Sequence, residues 1–124
     1  METIATEKAP AALGPYSQAI KANGMIYCSG QIPISPATGT IEALTIEDQT
    51  AQAISNLKNV LEKAGSSLAK VVKTTVFIKN MNDFVALNKV YAELFGETKP
   101  ARSCVEVARL PKDVLVEIEC IAEV

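Results

Sequence analysis

The chain has 124 residues, 48% of them hydrophobic, with 12 basic against 14 acidic side chains and a net charge of -2. That length supports one domain with its own core, without disulfides or metal, and the acidic balance lacks the basic surplus of nucleic-acid binders. Histidine is absent, which removes the usual proton shuttle and the commonest metal ligand, and with them Cys-His or Ser-His catalysis and ordinary zinc sites.

The opening stretch METIATEKAP has neither the basic-then-apolar layout of a secretory signal nor the Arg-rich, acid-poor character of a transit peptide. No run of about 18 apolar residues suggests a membrane span. YSQAIKANGMIYCSG predicts two short strands meeting at Asn23-Gly24, a strong hairpin signal, and PISPATGTIE then supplies turn residues. The spacing predicts a helix over Ile46–Ala64. Thr45 caps it with Asp48 three residues on, Ile54, Leu57, Leu61 and Ala64 form one apolar face, and Gly65 ends it.

VVKTTVFIK is rich in β-branched residues and predicts a strand. NDFVALNKVYAELFG predicts a second helix, capped at Asn80 or Asn82 and stopped by Gly96, with a stripe of Phe84, Leu87, Tyr91 and Leu94. Two strands, around Ser103–Val107 and Val114–Ala122, close the chain and are joined by RLPKD. The order β-β-α-β-α-β-β predicts an α+β fold: one sheet with both helices packed on a single face.

Side-chain alternation divides the last two strands into faces. Treated as a hairpin with matched apolar sides, they put Arg102, Cys104, Glu106, Glu117 and Glu119 together on the face away from the helices. Leu115 and Ile121 share that face. A half-apolar, half-charged face with no helix to cover it predicts a subunit interface, and hence an oligomer.

Several residues on these elements are candidates for chemistry. Arg102 either pairs with Glu117 or Glu119 across the sheet or binds a substrate carboxylate with its planar fork, which lysine cannot reproduce. Glu117 and Glu119 are edge charges in one reading and water-orienting carboxylates in the other. Cys104 is more often a small hydrophobe than a nucleophile, and its backbone N–H is the better functional candidate. Asn88, between Phe84 and Tyr91 on the helix, is a structural tie or a site residue. Tyr16 follows Gly14-Pro15 in a tight turn, and its hydroxyl either enters a pocket or packs. Ser29 and Gly30 end a strand, where the glycine permits close backbone approach. Cys28, Cys104 and Cys120 contain no Cys-x-x-Cys and predict free thiols in a reducing cytoplasm. No G-x-G-x-x-G or P-loop lysine offers a nucleotide cofactor a home.

Taken together, APAALGPYSQAI, CSGQIP, KTTVFIKNMNDFVALNKVYAELF and KPARSCVEVARLPKDVLVEIECIA closely resemble the RidA (YjgF-type) family of reactive intermediate deaminases. The resemblance runs from about Thr3 to the C-terminus, as one domain over residues 1–124. It implies a chorismate-mutase-like fold and a homotrimer with sites in the clefts between subunits, using neither metal nor bound cofactor. It also implies hydrolysis of 2-iminobutanoate and 2-iminopropanoate, which arise from enamines such as 2-aminoacrylate, to 2-oxo acids and ammonia. On this resemblance Arg102 binds the substrate carboxylate, Glu117 positions water, and Tyr16, Ser29, Gly30, Asn88 and Cys104 complete the site. Two rival readings remain: a ribonuclease or translation inhibitor, a label some relatives carry, and a non-catalytic binding or holdase-like protein.

Overall fold

The computed structural model describes residues 1–124. Its strands are β1 (Glu2–Ile4), β2 (Ala19–Ala22), β3 (Met25–Gln31), β4 (Val71–Ile78), β5 (Ala101–Glu106) and β6 (Val116–Glu123), and its helices are α1 (Ile46–Lys63) and α2 (Phe84–Phe95). The six strands form one sheet in the order β1-β2-β3-β6-β4-β5. Every neighbouring pair is antiparallel except β4 and β5, which are parallel.

Local chemistry sets most element boundaries. The Asn23-Gly24 turn joins β2 to β3 with both residues at positive φ, 51° and 76°, the geometry a two-residue hairpin needs. The Thr45 side chain accepts a hydrogen bond from the Asp48 amide at 3.1 Å and so satisfies one free donor of α1. At the other end Gly65 adopts φ 87°, and the Ser66 amide turns back to the Leu61 carbonyl at 2.8 Å.

The core lies between the helices and one face of the sheet. Ile54, Leu57, Val60 and Leu61 of α1 are buried against β3 and β6, and α2 lies beside α1. On β6, Val116, Ile118, Cys120 and Ala122 alternate inward, while Glu117, Glu119 and Ile121 occupy the uncovered face. Cys28 and Cys120 meet as cross-strand partners on the buried side, and all three cysteines are free thiols. The inward line of α2 is Leu87, Tyr91 and Phe95, with the last two rings stacked at a centroid distance of 4.5 Å. Leu94, expected in that stripe, is 42% exposed, because steps of four from Leu87 carry the buried line to Phe95 instead.

Two further expectations require correction. The chain begins with an additional short strand, β1, paired with β2. More consequentially, β5 and β6 do not form a hairpin. The β4-α2-β5 segment is a crossover unit that lays β5 parallel to β4 at the sheet edge, and β6 inserts between β3 and β4. The strand with the most complete apolar alternation therefore takes a central slot, hydrogen-bonded on both sides.

This topology reverses the expected side of Arg102. Arg102 pairs with Thr74 and Cys104 with Val76, and both β4 partners are fully buried on the helix side. Neighbours in a ladder share a face, so Arg102, Cys104 and Glu106 point toward the helices. Glu117 pairs with Phe77, and Glu119 with Thr75, on the opposite face. The matched-hairpin assumption supplied the wrong parity for β5 and the right one for β6.

Candidate active site

Arg102 is held from α2. Asn88 Oδ1 accepts a hydrogen bond from its Nη1 at 2.7 Å. The guanidinium carbon lies 4.9 Å from the centroid of the Tyr91 ring and 5.5 Å from that of Phe84. Asn88 and Arg102 thus sit on the same side of the sheet, which brings together two residues that the expected hairpin parity separates. An Arg102–Glu117 or Arg102–Glu119 ion pair across one sheet is removed, because the partners occupy opposite faces. Arg102 and Asn88 border a small cleft of about 290 Å³, rimmed also by Ala92, Thr98, Lys99 and Pro100.

Cys104 lies one alternate position further along β5, half-buried against the core. Burial pushes its thiol pKa up, and the nearby Arg102 charge opposes that rise without cancelling it. A thiol kept protonated is a poor nucleophile. Cys104 is therefore expected to react with iodoacetamide at neutral pH more slowly than a free cysteine, with its rate rising only above the ordinary thiol range. Labelling as quick as that of glutathione would contradict this environment.

The Cys104 backbone is better placed than its sulfur. The Val107 amide donates to the Ile78 carbonyl at 3.0 Å, so β5 amides at alternate positions from Val107 turn toward β4. Those of Arg102, Cys104 and Glu106 consequently point off the free edge of the sheet, where a ligand or another chain can accept from them.

A second cluster lies around Glu117 on the uncovered face. Gly30 stands against this carboxylate so closely that a Cβ at position 30 would meet Glu117 Cδ at 2.9 Å and Cγ at 3.1 Å, with Oε2 nearer still. The β3 register shifts between Cys28 and Gln31, which brings this stretch of backbone toward Glu117. Burial is the main cause that raises the Glu117 carboxyl pKa, and the neighbouring Glu119 charge adds to it. Ser29 Oγ donates to the Ser17 carbonyl at 2.6 Å, and the Ser29 amide to the Gln18 carbonyl at 3.0 Å. These bonds tie the β3 end to the loop carrying Tyr16.

Tyr16 is 55% exposed. It lines a larger cleft of about 710 Å³ formed with the N-terminal segment, Ile34 and Pro36. Gln18 fixes that segment through its side-chain amide, bonded to the Thr6 and Pro10 carbonyls at 3.0 and 2.8 Å. The candidate residues therefore form two groups in one chain: Arg102, Asn88 and Cys104 at the β5–α2 edge, and Tyr16, Ser29, Gly30 and Glu117 around the end of β3. Phe84, Tyr91 and Thr74 also belong to this site and are not among the candidates the sequence offers. The signal available for the first two was their spacing from Asn88 on a single helix face.

Comparison with known proteins gives these groups a context. The family model described as endoribonuclease L-PSP matches residues 6–124. A RutC family protein of Pyrococcus horikoshii is 60% identical, over 98% of this chain and 96% of its own. An Escherichia coli K12 protein named 2-iminobutanoate/2-iminopropanoate deaminase is 53% identical, again over 98% of this chain and 96% of its own. Among solved structures, an Entamoeba histolytica protein described as a putative endoribonuclease L-PSP superposes with a TM-score of 0.97 at 54% identity, covering 99% of this chain and 98% of that one. With the matching sheet, helices and near-complete coverage, this chain belongs to the endoribonuclease L-PSP family, also known as the RidA or YjgF-type family.

Proposed function

We propose that the chain is a deaminase that hydrolyses reactive 2-imino acids to 2-oxo acids and ammonia. The observation that carries this reading is the state of Arg102. Its hydrogen-bonded partner is a neutral amide oxygen, and its other neighbours are aromatic rings. The guanidinium thus keeps its full charge and most of its five N–H donors at the edge of a cleft. Such a group suits a small carboxylate. A relative that is 53% identical and bears the deaminase name supports the same reading.

One chain places Arg102 and Glu117 on opposite faces of its sheet. The proposed site is therefore completed between subunits of a homotrimer, with the β5–α2 edge of one copy meeting the Glu117 face of the next. That face carries Tyr27 at 48% exposure and Val105 at 44%, the apolar surface an interface would cover. The working compartment we propose is the cytoplasm, where the three thiols stay reduced.

In the proposed reaction Arg102 grips the carboxylate and so orients the adjacent C=N bond. Glu117 takes a proton from water as the oxygen bonds to the imine carbon and passes it to the imine nitrogen, giving a neutral carbinolamine. Glu117 then takes the hydroxyl proton as the C=O bond forms and delivers it to the amine nitrogen as the C–N bond breaks. One imine and one water yield one 2-oxo acid and one ammonia. No strong base is required, because the imine is already electrophilic. A carboxylate with a raised pKa suits both proton transfers.

The test generates the imine in situ with a dehydratase and follows 2-oxo acid release. Acceleration by the wild type and its loss in Arg102→Ala are expected; equal rates would overturn the assignment. Native mass spectrometry at assay concentration should show a trimer, and a monomer would remove the shared site. Gly30→Ala is a further prediction. Its methyl group must displace the Glu117 carboxylate while leaving β3 folded, so kcat should fall on the order of tenfold, short of the ~10²-fold that a full 1 Å misplacement can cost. The melting temperature should change little.

The family description also names endoribonuclease activity. RNA cleavage that persisted in Arg102→Ala through rigorous repurification would favour that second reading.

A further inference from the structure

The contacts that α2 makes with Arg102 come from positions 84, 88 and 91, at steps of four and three on one helix face. The Tyr91 ring is itself fixed from two directions. Its hydroxyl shares a 2.7 Å hydrogen bond with Thr74 Oγ1, and its ring stacks on Phe95. Thr74 is fully buried and is the ladder partner of Arg102 in the β4–β5 pair. A closed circuit results: the strand residue beside Arg102 anchors the ring that carries the Arg102 side chain.

We propose that Tyr91, tied to Thr74, and Phe84 are positioning residues that set the plane of the Arg102 guanidinium for a 2-imino acid carboxylate, with Asn88 acting through the same group. This inference rests on the reading of Arg102 as the carboxylate-binding residue. It assigns work to three side chains, Phe84, Tyr91 and Thr74, that this reading leaves idle.

The physical reason is pre-organisation. A free arginine side chain samples many rotamers, and binding must freeze them. A carboxylate partner would also hold the side chain, but it would neutralise the charge and occupy the donors meant for the ligand. Aromatic faces attract the cation without taking any N–H. Asn88 takes one N–H at Nη1 and adds no charge. Four of the five guanidinium N–H groups remain, enough for a two-pronged grip on a carboxylate. A guanidinium held between two rings and an amide oxygen also presents its fork in a fixed orientation, so the substrate C=N is oriented as well as captured.

The test compares Tyr91→Phe and Phe84→Leu with the wild-type protein in three measurements. In imine hydrolysis, KM should rise between about threefold and thirtyfold in Phe84→Leu, the range loss of one such ring contact supports, and by less in Tyr91→Phe, which keeps its ring and loses only the bond to Thr74, while kcat changes less in both. Calorimetric binding of 2-oxobutanoate, a stable product carboxylate, should weaken in parallel. Relaxation of the Arg102 side-chain Nε–H by NMR should show a rigid group in the wild type and a mobile one in Phe84→Leu. Phe84→Tyr, which keeps the ring, should recover most of what Phe84→Leu loses.

If both variants match the wild type in KM, product affinity and Arg102 mobility, and only their melting temperatures fall, the aromatic residues are packing alone and the proposal is overturned. A different failure has a different signature. Wild-type protein with a rigid Arg102 that neither hydrolyses the imine nor binds 2-oxobutanoate overturns the carboxylate reading itself, and the positioning role goes with it.

Discussion

Arg102→Lys is expected to lower kcat/KM for 2-imino acid hydrolysis by about 10²-fold, although the positive charge is kept. The argument is geometric. Lysine carries three donors on one nitrogen at the end of a flexible stem, so it cannot form two parallel bonds to one carboxylate. Nor can it reproduce the contact of the delocalised guanidinium with the Tyr91 and Phe84 rings. The 2.7 Å bond to Asn88 Oδ1 would compete with substrate for the remaining ammonium group. A charge-assisted bidentate pair is worth about 3 kcal/mol, which corresponds to roughly 10²-fold in rate. Most of this should appear in KM and in weaker 2-oxobutanoate binding, because the lost contact is made by bound substrate before the chemical step. Circular dichroism should be unchanged, since Arg102 lies at the sheet edge rather than in the core. A lysine variant with wild-type KM would show that any cation at this position suffices, and the fork would then have no role.

The elements and their order were largely legible in the sequence, while the arrangement of β5 was not. Thr45, Gly65 and Asn23-Gly24 announce their turns and caps through local chemistry that acts over three or four residues. The burial of Leu57, Leu61, Val116 and Ile118 follows from periodicity. Strand partners are another matter. RLPKD looks like a hairpin connection between two β-rich segments, but nothing local says that β6 must pass to the far side of β4. The parallel pairing of β4 and β5 depends on where α2 docks, a tertiary property. Once the partner is known, one step of parity carries Arg102 from the uncovered face to the helix side. Asn88 was legible as an amide on an apolar stripe, whereas its bond to Arg102 required the three-dimensional crossover. Thr74 carried no signal at all: a threonine within a β-branched strand reads as ordinary sheet.

The same parity leaves Glu117 on the uncovered face, and Glu117→Gln is the sharpest test of what it does there. Its kcat is expected to fall by about 10² to 10⁴, the range for loss of a general acid–base group. Binding of 2-oxobutanoate should persist, because Arg102 is untouched. The pH dependence gives an independent signature. Burial, reinforced by the Glu119 charge, raises the Glu117 pKa in the folded chain. Activity that needs the carboxylate should therefore decline as pH falls through a value above the ordinary carboxylate range, and the glutamine variant should lack this acidic limb. Stability moves the other way. A carboxyl whose folded pKa exceeds its unfolded one binds its proton more tightly when folded, so the native state loses stability as pH rises from the unfolded value through the folded one. Above that window the ionised group carries its full cost, and below it the cost is absent. Glu117→Gln removes the ionisation while keeping the shape that packs against Gly30. Its melting temperature should accordingly exceed that of the wild type at neutral pH and converge with it in acid. Lower activity with higher stability at neutral pH would mark Glu117 as a residue kept charged for its chemistry. An unchanged kcat together with an unchanged melting profile would return it to the status of a tolerated edge charge.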